Sequence, residues 1–272
     1  MRSLRPLARA HQNKLYGMLM STAAAAVQKL ALDARYVGAR VACLAVLHTW
    51  TRGALWALLY HPHVHLLVTA GGLSAHGAQW IAPKKANFLA PEGALAIIFR
   101  AKMCAALNQA GLLPQVPPQV RKKDWVVHCK AVGSGRKVLE YLGRYVFRVA
   151  ITNSRLERIQ DGQVTSRYRD NHTQRLRRAT LPAIEFIGRF LQHVLPPGCT
   201  KVRYYGLWSN SCRRQLEQAR GLLDAPPRAA SDPLASPVEP AVSVPTPARC
   251  PHCRLGQLIV IQVLRAERKL PP

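Results

Sequence analysis

Apolar residues recur at three- and four-residue steps through Leu15, Met18, Leu19, Ala23, Ala26, Val27 and Leu30, which predicts an amphipathic helix within residues 1–35. The texture then changes. Residues 41–49 and 61–69 read as strands, the second ending at the Gly71-Gly72 turn, and the two are expected to pair as neighbours. Residues 91–113 return to helical spacing, with Leu95, Ile98, Phe99, Met103, Ala106 and Leu107 on one face and a stop at Gly111 before Pro114. Residues 125–129 are a short strand candidate. After the Gly133-Ser134-Gly135 turn, 138–147 suits a helix and 149–153 a strand. A hairpin follows, 155–160 and 164–168 about an Asp161-Gly162 turn. Residues 181–195 close the body as a helix stopped by Pro196-Pro197-Gly198. The order predicts a mixed α+β fold.

Residues 224–249 are dominated by Pro, Ala, Ser and Val, a composition that cannot bury a core and reads as a disordered linker. Beyond it, Cys250-Pro251-His252-Cys253 opens a short tail. The expected organisation is therefore an N-terminal helical segment (1–40), a main domain (41–223), the linker (224–249) and the tail (250–272).

Composition narrows the function classes. Of 272 residues, 39 are Lys or Arg and 13 Asp or Glu, a formal net charge of +26, while the hydrophobic share of 49% excludes wholesale disorder. So large a surplus repels itself unless a polyanion neutralises it, which points to nucleic acid ahead of anionic membrane. No stretch reaches the roughly 18 apolar residues of a membrane span. The cysteines number seven. Five of them (Cys43, Cys104, Cys129, Cys199, Cys212) are scattered without framework spacing, which fits a reducing, cytoplasmic setting.

Candidate chemistry concentrates in two places. In His61-Pro62-His63-Val64-His65, strand alternation points the three imidazoles one way and Val64 toward the core. Imidazoles two residues apart on one strand can close on a single divalent ion. His48, in the preceding strand candidate, is the expected third ligand if the strands pair. In Tyr141-Leu142-Gly143-Arg144-Tyr145, positions i and i+4 share one helix face, so both phenols present to the same place amid Arg136, Lys137, Arg144 and Arg148. Together they suggest a mechanism: a histidine-held metal polarises a phosphodiester and a tyrosine attacks phosphorus to give a covalent 5′-phosphotyrosine.

The runs Leu47-His48-Thr49-Trp50, His61-Pro62-His63-Val64-His65, Tyr141-Leu142-Gly143-Arg144-Tyr145 and Arg148-Val149-Ala150-Ile151-Thr152-Asn153 resemble the two-tyrosine HUH transposases of rolling-circle insertion sequences, the insertion sequence 91 family. The likeness continues through Glu185-Phe186-Ile187, His193-Val194-Leu195-Pro196 and Tyr205-Gly206. The resemblance implies an antiparallel sheet with flanking helices, histidines on a central strand and tyrosines on a helix opposite. It further implies Mg²⁺ or Mn²⁺ at His63 and His65, with Tyr141 and Tyr145 as nucleophiles. The implied activity is nicking and transfer of single-stranded DNA at transposon ends and target DNA, in a bacterial, nucleoid-associated protein. The family's usual Cys-rich zinc module before the catalytic domain has no counterpart ahead of Cys43, and Cys250 and Cys253 supply half of a possible Zn²⁺ site in the tail.

Arginines alternate along the hairpin, and Arg155, Arg167 and Arg169 join Arg136, Lys137, Arg144 and Arg148 as candidate DNA contacts. Trp125, Tyr168, Tyr204, Tyr205 and Trp208 are candidates for stacking on unpaired bases. Two alternatives keep the same fold: a non-catalytic DNA-binding remnant, and a replication initiator or relaxase of the same chemistry.

Overall fold

The computed structural model describes residues 4–50, 58–85, 89–133, 138, 143, 151–170 and 173–223. The chain divides into two units, Met1–Ala225 and Pro226–Pro272. The second, with the linker and tail, lies outside the described residues.

The first unit is α+β, with antiparallel sheets and flanking helices. The main sheet has the order β2-β1-β8, formed by β1 (Ala42–Trp50), β2 (Tyr60–Val68) and β8 (Val202–Gly206). Apart from Trp50, every residue of β1 is buried. Its nearly unbroken apolar run suits a middle strand covered on both faces. Helices α1 (Arg5–Ala10), α2 (Gln12–Ala31) and α3 (Glu92–Gln109) supply one layer. Tyr16, Leu19, Met20, Ala23 and Ala26 of α2 pack with Phe99 of α3 against Ala45, Leu47 and Tyr60 of the sheet. At the heart of that layer the Tyr16 and Tyr60 hydroxyls bond at 2.7 Å, and burial holds both phenols above their usual range. The single helix expected over residues 1–35 is two, because the backbone at His11 (φ −131, ψ 45) leaves the helical region.

Several expectations are corrected. Among the described residues the histidine strand β2 is an outer strand, and β1 is the middle one. Residues 125–129 form no strand. Trp125 gives its indole N–H to the Val120 carbonyl at 3.0 Å and meets Phe99 edge-on, and the Cys129 amide donates to the Glu92 carboxylate at 2.6 Å. The segment is held by side-chain packing and by this one capped amide rather than by a strand ladder. A short helix, α4 (Pro118–Lys122), precedes it. Val138 and Gly143 are helical, but 149–150 lie outside the described residues and 151–153 are not strand.

The hairpin forms as expected, and Asp161 and Gly162 both carry the positive φ of a tight hairpin turn (51 and 69). It gains a third strand, giving the order β5-β6-β7 from β5 (Leu156–Gln160), β6 (Gln163–Arg169) and β7 (Leu176–Pro182). Since β7 runs to Pro182, the helix expected over 181–195 shortens to α5 (Ala183–Leu191). Strand β8, the short pair β3 (Gly72–Leu73) and β4 (Trp80–Ile81), and helix α6 (Arg213–Leu222) complete the unit.

Candidate functional site

Strands β1 and β2 are antiparallel, with His48 directly opposite His63 and Val46 opposite His65. Residues opposite one another share a sheet face. His48, His63 and His65 therefore lie together on the face away from Val64 and Leu66, which pack toward the helices. The His48 ring centre is 5.5 Å from that of His63 and 4.6 Å from that of His65. One ring nitrogen from each of the three falls within 4.8 Å of the others, so the triad could hold a metal ion. His61 is 5.3 Å from His63, ring to ring, but stands outside this cluster. The pairing slips between His48–His63 and Trp50–Tyr60, so that His61 and Pro62 together oppose Thr49. This bulge falls where Pro62 has no N–H to give a ladder.

The donor set fits a divalent ion. His63 Nδ1 lies 2.8 Å from the His61 carbonyl oxygen. Nδ1–H is therefore the donor, which leaves the Nε2 lone pair for a metal. Burial also lowers the pKa of His63, which keeps the imidazole in the neutral form a ligand needs. His48 is buried and stacks on Trp50 at 4.8 Å with 18° between the planes. The Lys201 ammonium lies 5.3 Å from the centre of the Trp50 ring. His63 and His65 are half-buried and border a cleft of about 1570 Å³ that is lined mainly from the helix side, by residues such as Val64, Leu66 and Phe99, and also by Lys123, Val127 and Val138.

A family model described as "Putative transposase" (Y2_Tnp) matches residues 42–215. The chain belongs to this transposase family. It is 38% identical, over 93% of its length, to the "Putative transposase y4qJ" of Sinorhizobium fredii, of which it covers 69%. It is 29% identical, over 84% of its length, to the "Transposase for insertion sequence element IS801" of Pseudomonas savastanoi pv. phaseolicola, of which it covers 58%. No solved structure matches.

Within this transposase the expected site residues divide into three groups. His48, His63 and His65 come together. Tyr141 and Tyr145, with Arg136, Lys137, Arg144 and Arg148, lie outside the described residues, as do Cys250 and Cys253. Val138, which is described, lines the same cleft as His63 and His65. Arg155, Arg167 and Arg169 lie on or beside the β5-β6-β7 sheet and do not line the cleft. Of the proposed stacking aromatics, Tyr168 is buried, while Trp125 and Tyr205 pack in the core. Trp208 packs against a smaller cluster, and Tyr204 is exposed. No helix among the described residues is long and apolar enough to cross a membrane.

Sequence reasoning missed a brace beside the triad. His193 Nε2 is 3.1 Å from the Leu58 carbonyl, and Nδ1 is 3.1 Å from the Thr49 hydroxyl. The carbonyl can only accept, so Nε2–H donates to it and Nδ1 accepts from Thr49. Burial lowers the pKa of His193, which favours this neutral tautomer. One side chain thereby ties Thr49, near the end of the His48 strand, to Leu58, two residues before the His63 strand begins. The signal was the run His193-Val194-Leu195-Pro196, already part of the family likeness but without an evident role in sequence.

Proposed function

We propose that this transposase nicks single-stranded DNA in a metal-dependent reaction and transfers the strand through a covalent 5′-phosphotyrosine, in support of rolling-circle transposition. The observation that carries the reading is the convergence of His48, His63 and His65 nitrogens within 4.8 Å on one sheet face. With nitrogen donors alone in the described cluster, the site favours Mn²⁺ over the harder Mg²⁺. A bound divalent ion would draw charge from the scissile phosphate and lower the cost of attack. The phenol oxygen of Tyr141 or Tyr145 then forms the bond to phosphorus, the P–O3′ bond breaks, and the 3′ oxygen leaves with a proton as a free hydroxyl. The phosphotyrosine conserves the bond energy, so a second strand's 3′-hydroxyl reverses the step and releases the tyrosine. Two tyrosines four residues apart in the chain would permit two such transfers in succession. The cation-rich hairpin supports the DNA reading, because phosphate contacts supply most sequence-independent affinity.

The test is a denaturing gel of the protein incubated with labelled single-stranded DNA from transposon ends, with Mn²⁺ or with chelator. The expected result is a covalent adduct that requires metal and disappears in the Tyr141→Phe/Tyr145→Phe double variant. An adduct that survives both substitutions would overturn the tyrosine assignment, and one that forms in chelator would overturn the metal.

A further inference from the structure

On the β5-β6-β7 sheet, Val164, Ser166, Tyr168 and Leu181 face inward and are buried, which leaves the opposite face to solvent. Arg167 and Arg178 stand directly opposite each other on that outer face. Like charges in such a pair repel. A single carboxylate relieves them: Glu157 lies 3.1 Å from Arg167 Nε through Oε1 and 2.7 Å from Arg178 Nε through Oε2. Strict alternation would send Glu157 to the other face from its neighbour Arg158, which pairs with Thr165. The register slip between Leu156 and Arg158 instead makes Glu157 a bulge residue and turns it outward. Arg167 is further fixed by donating from Nη2 to the Ser154 carbonyl at 3.0 Å. Arg158 and Arg169 extend the same face on either side.

Two guanidiniums aimed at one pair of oxygens would hold a phosphate as they hold a carboxylate. The arginine side chains are 47% and 75% exposed and that of Glu157 20%, so the guanidiniums stay open to solvent and to an incoming anion while the carboxylate sits between them. We propose that this sheet face binds the phosphodiester backbone of single-stranded DNA, and that Glu157 is a built-in stand-in for phosphate which the DNA displaces from Arg167 and Arg178. The inference rests on the DNA reading above. It adds that the free protein carries its own competitor, which weakens capture of random strands.

The test is fluorescence anisotropy of labelled oligodeoxythymidylate with the full chain, beside a thermal melt of each variant. Glu157→Gln keeps the shape and removes the competing charge, and the expected result is roughly five- to tenfold tighter binding, the worth of one or two exposed ion pairs. In an Arg167→Gln/Arg178→Gln background, the same substitution should give no gain. Unchanged or weaker binding by a folded Glu157→Gln protein overturns the inference while leaving DNA binding intact, whereas absence of binding by the wild type overturns the DNA reading itself. A second measurement does not depend on the variant folding. In the wild type the Nε–H resonances of Arg167 and Arg178 should move together on DNA addition, and resonances that stay fixed at saturation overturn the proposal.

Discussion

Replacing His193 by alanine removes two hydrogen bonds at once and leaves their partners in the interior. Thr49 is 1% exposed and Leu58 5%, so neither the hydroxyl nor the carbonyl can readily turn to water instead. A buried group deprived of its partner costs about 1–3 kcal/mol. Two such groups put His193→Ala at about 2–6 kcal/mol, a large part of a typical domain's 5–15 kcal/mol. Thr49→Val keeps the shape and removes only the donor to Nδ1, so about 1 kcal/mol is expected. Because the two residues share one bond, the double variant should cost about 1 kcal/mol less than the sum of the singles. Urea unfolding of the four proteins measures this cycle. The brace also fixes the chain near the ends of both histidine strands, so Mn²⁺ affinity, read by electron paramagnetic resonance titration of folded protein, should fall about 10- to 100-fold in His193→Ala. Stability effects that add within about 0.5 kcal/mol would refute the shared bond, and Mn²⁺ affinity unchanged in a folded His193→Ala protein would refute the positioning role.

Two further outcomes follow from the same geometry. Burial keeps His193 and His63 neutral below the ordinary histidine value near 6.5. The unfolded chain therefore takes up protons that the native state refuses: stability is complete above about pH 6.5 and declines as the pH falls through and below it. Urea midpoints at pH 7.5 and at pH 5.5 should differ in that direction, and by less in His193→Gln; equal midpoints would count against burial as the cause. Gly206 sits at φ 62 with no room for a Cβ, which would collide with the Val41 carbonyl and the Gln28 amide. Gly206→Ala should lower stability by about 2 kcal/mol or more, from positive-φ strain plus the clash, and a cost under about 0.5 kcal/mol in a urea titration would show that the end of β8 is not held as described.

What was legible in the sequence was local. The β1–β2 pairing could be read because two apolar runs follow one another in the chain, and alternation alone then placed His48 beside His63 and His65. Strand β8 could not be read, because its partner β1 lies some 160 residues earlier and nothing in Val202–Gly206 names it. Strand β7 was hidden by its arginines. Arg177 and Arg178 are adjacent and so break any polar–apolar alternation, and the one buried residue, Leu181, looked like the start of the helix that follows. Trp125 and Val127 gave a false strand, since their alternation serves packing against α2 and α3 rather than a ladder. The brace escaped notice because a lone histidine acquires a role only through what it touches.

The geometry of the histidine triad and that of the proposed DNA-binding face each depend on a slip of one residue in strand register. At His61-Pro62 the extra residue breaks the ladder where proline has no donor, and it brings the His61 carbonyl to His63 Nδ1, which selects the tautomer that leaves Nε2 for metal. At Glu157 the extra residue turns a carboxylate from the inner face of the hairpin sheet to the outer, between two arginines that would otherwise oppose each other unrelieved. In each case the regular period of two gives the wrong neighbour, and the bulge gives the chemical one. The middle strand β1 shows no such slip over residues 43–46, where it pairs on both sides and is buried throughout. The fold thus keeps its rigidity in β1, where His48 stacks on Trp50, and allows irregularity only in outer strands, where a side chain can be re-aimed without unpairing the core.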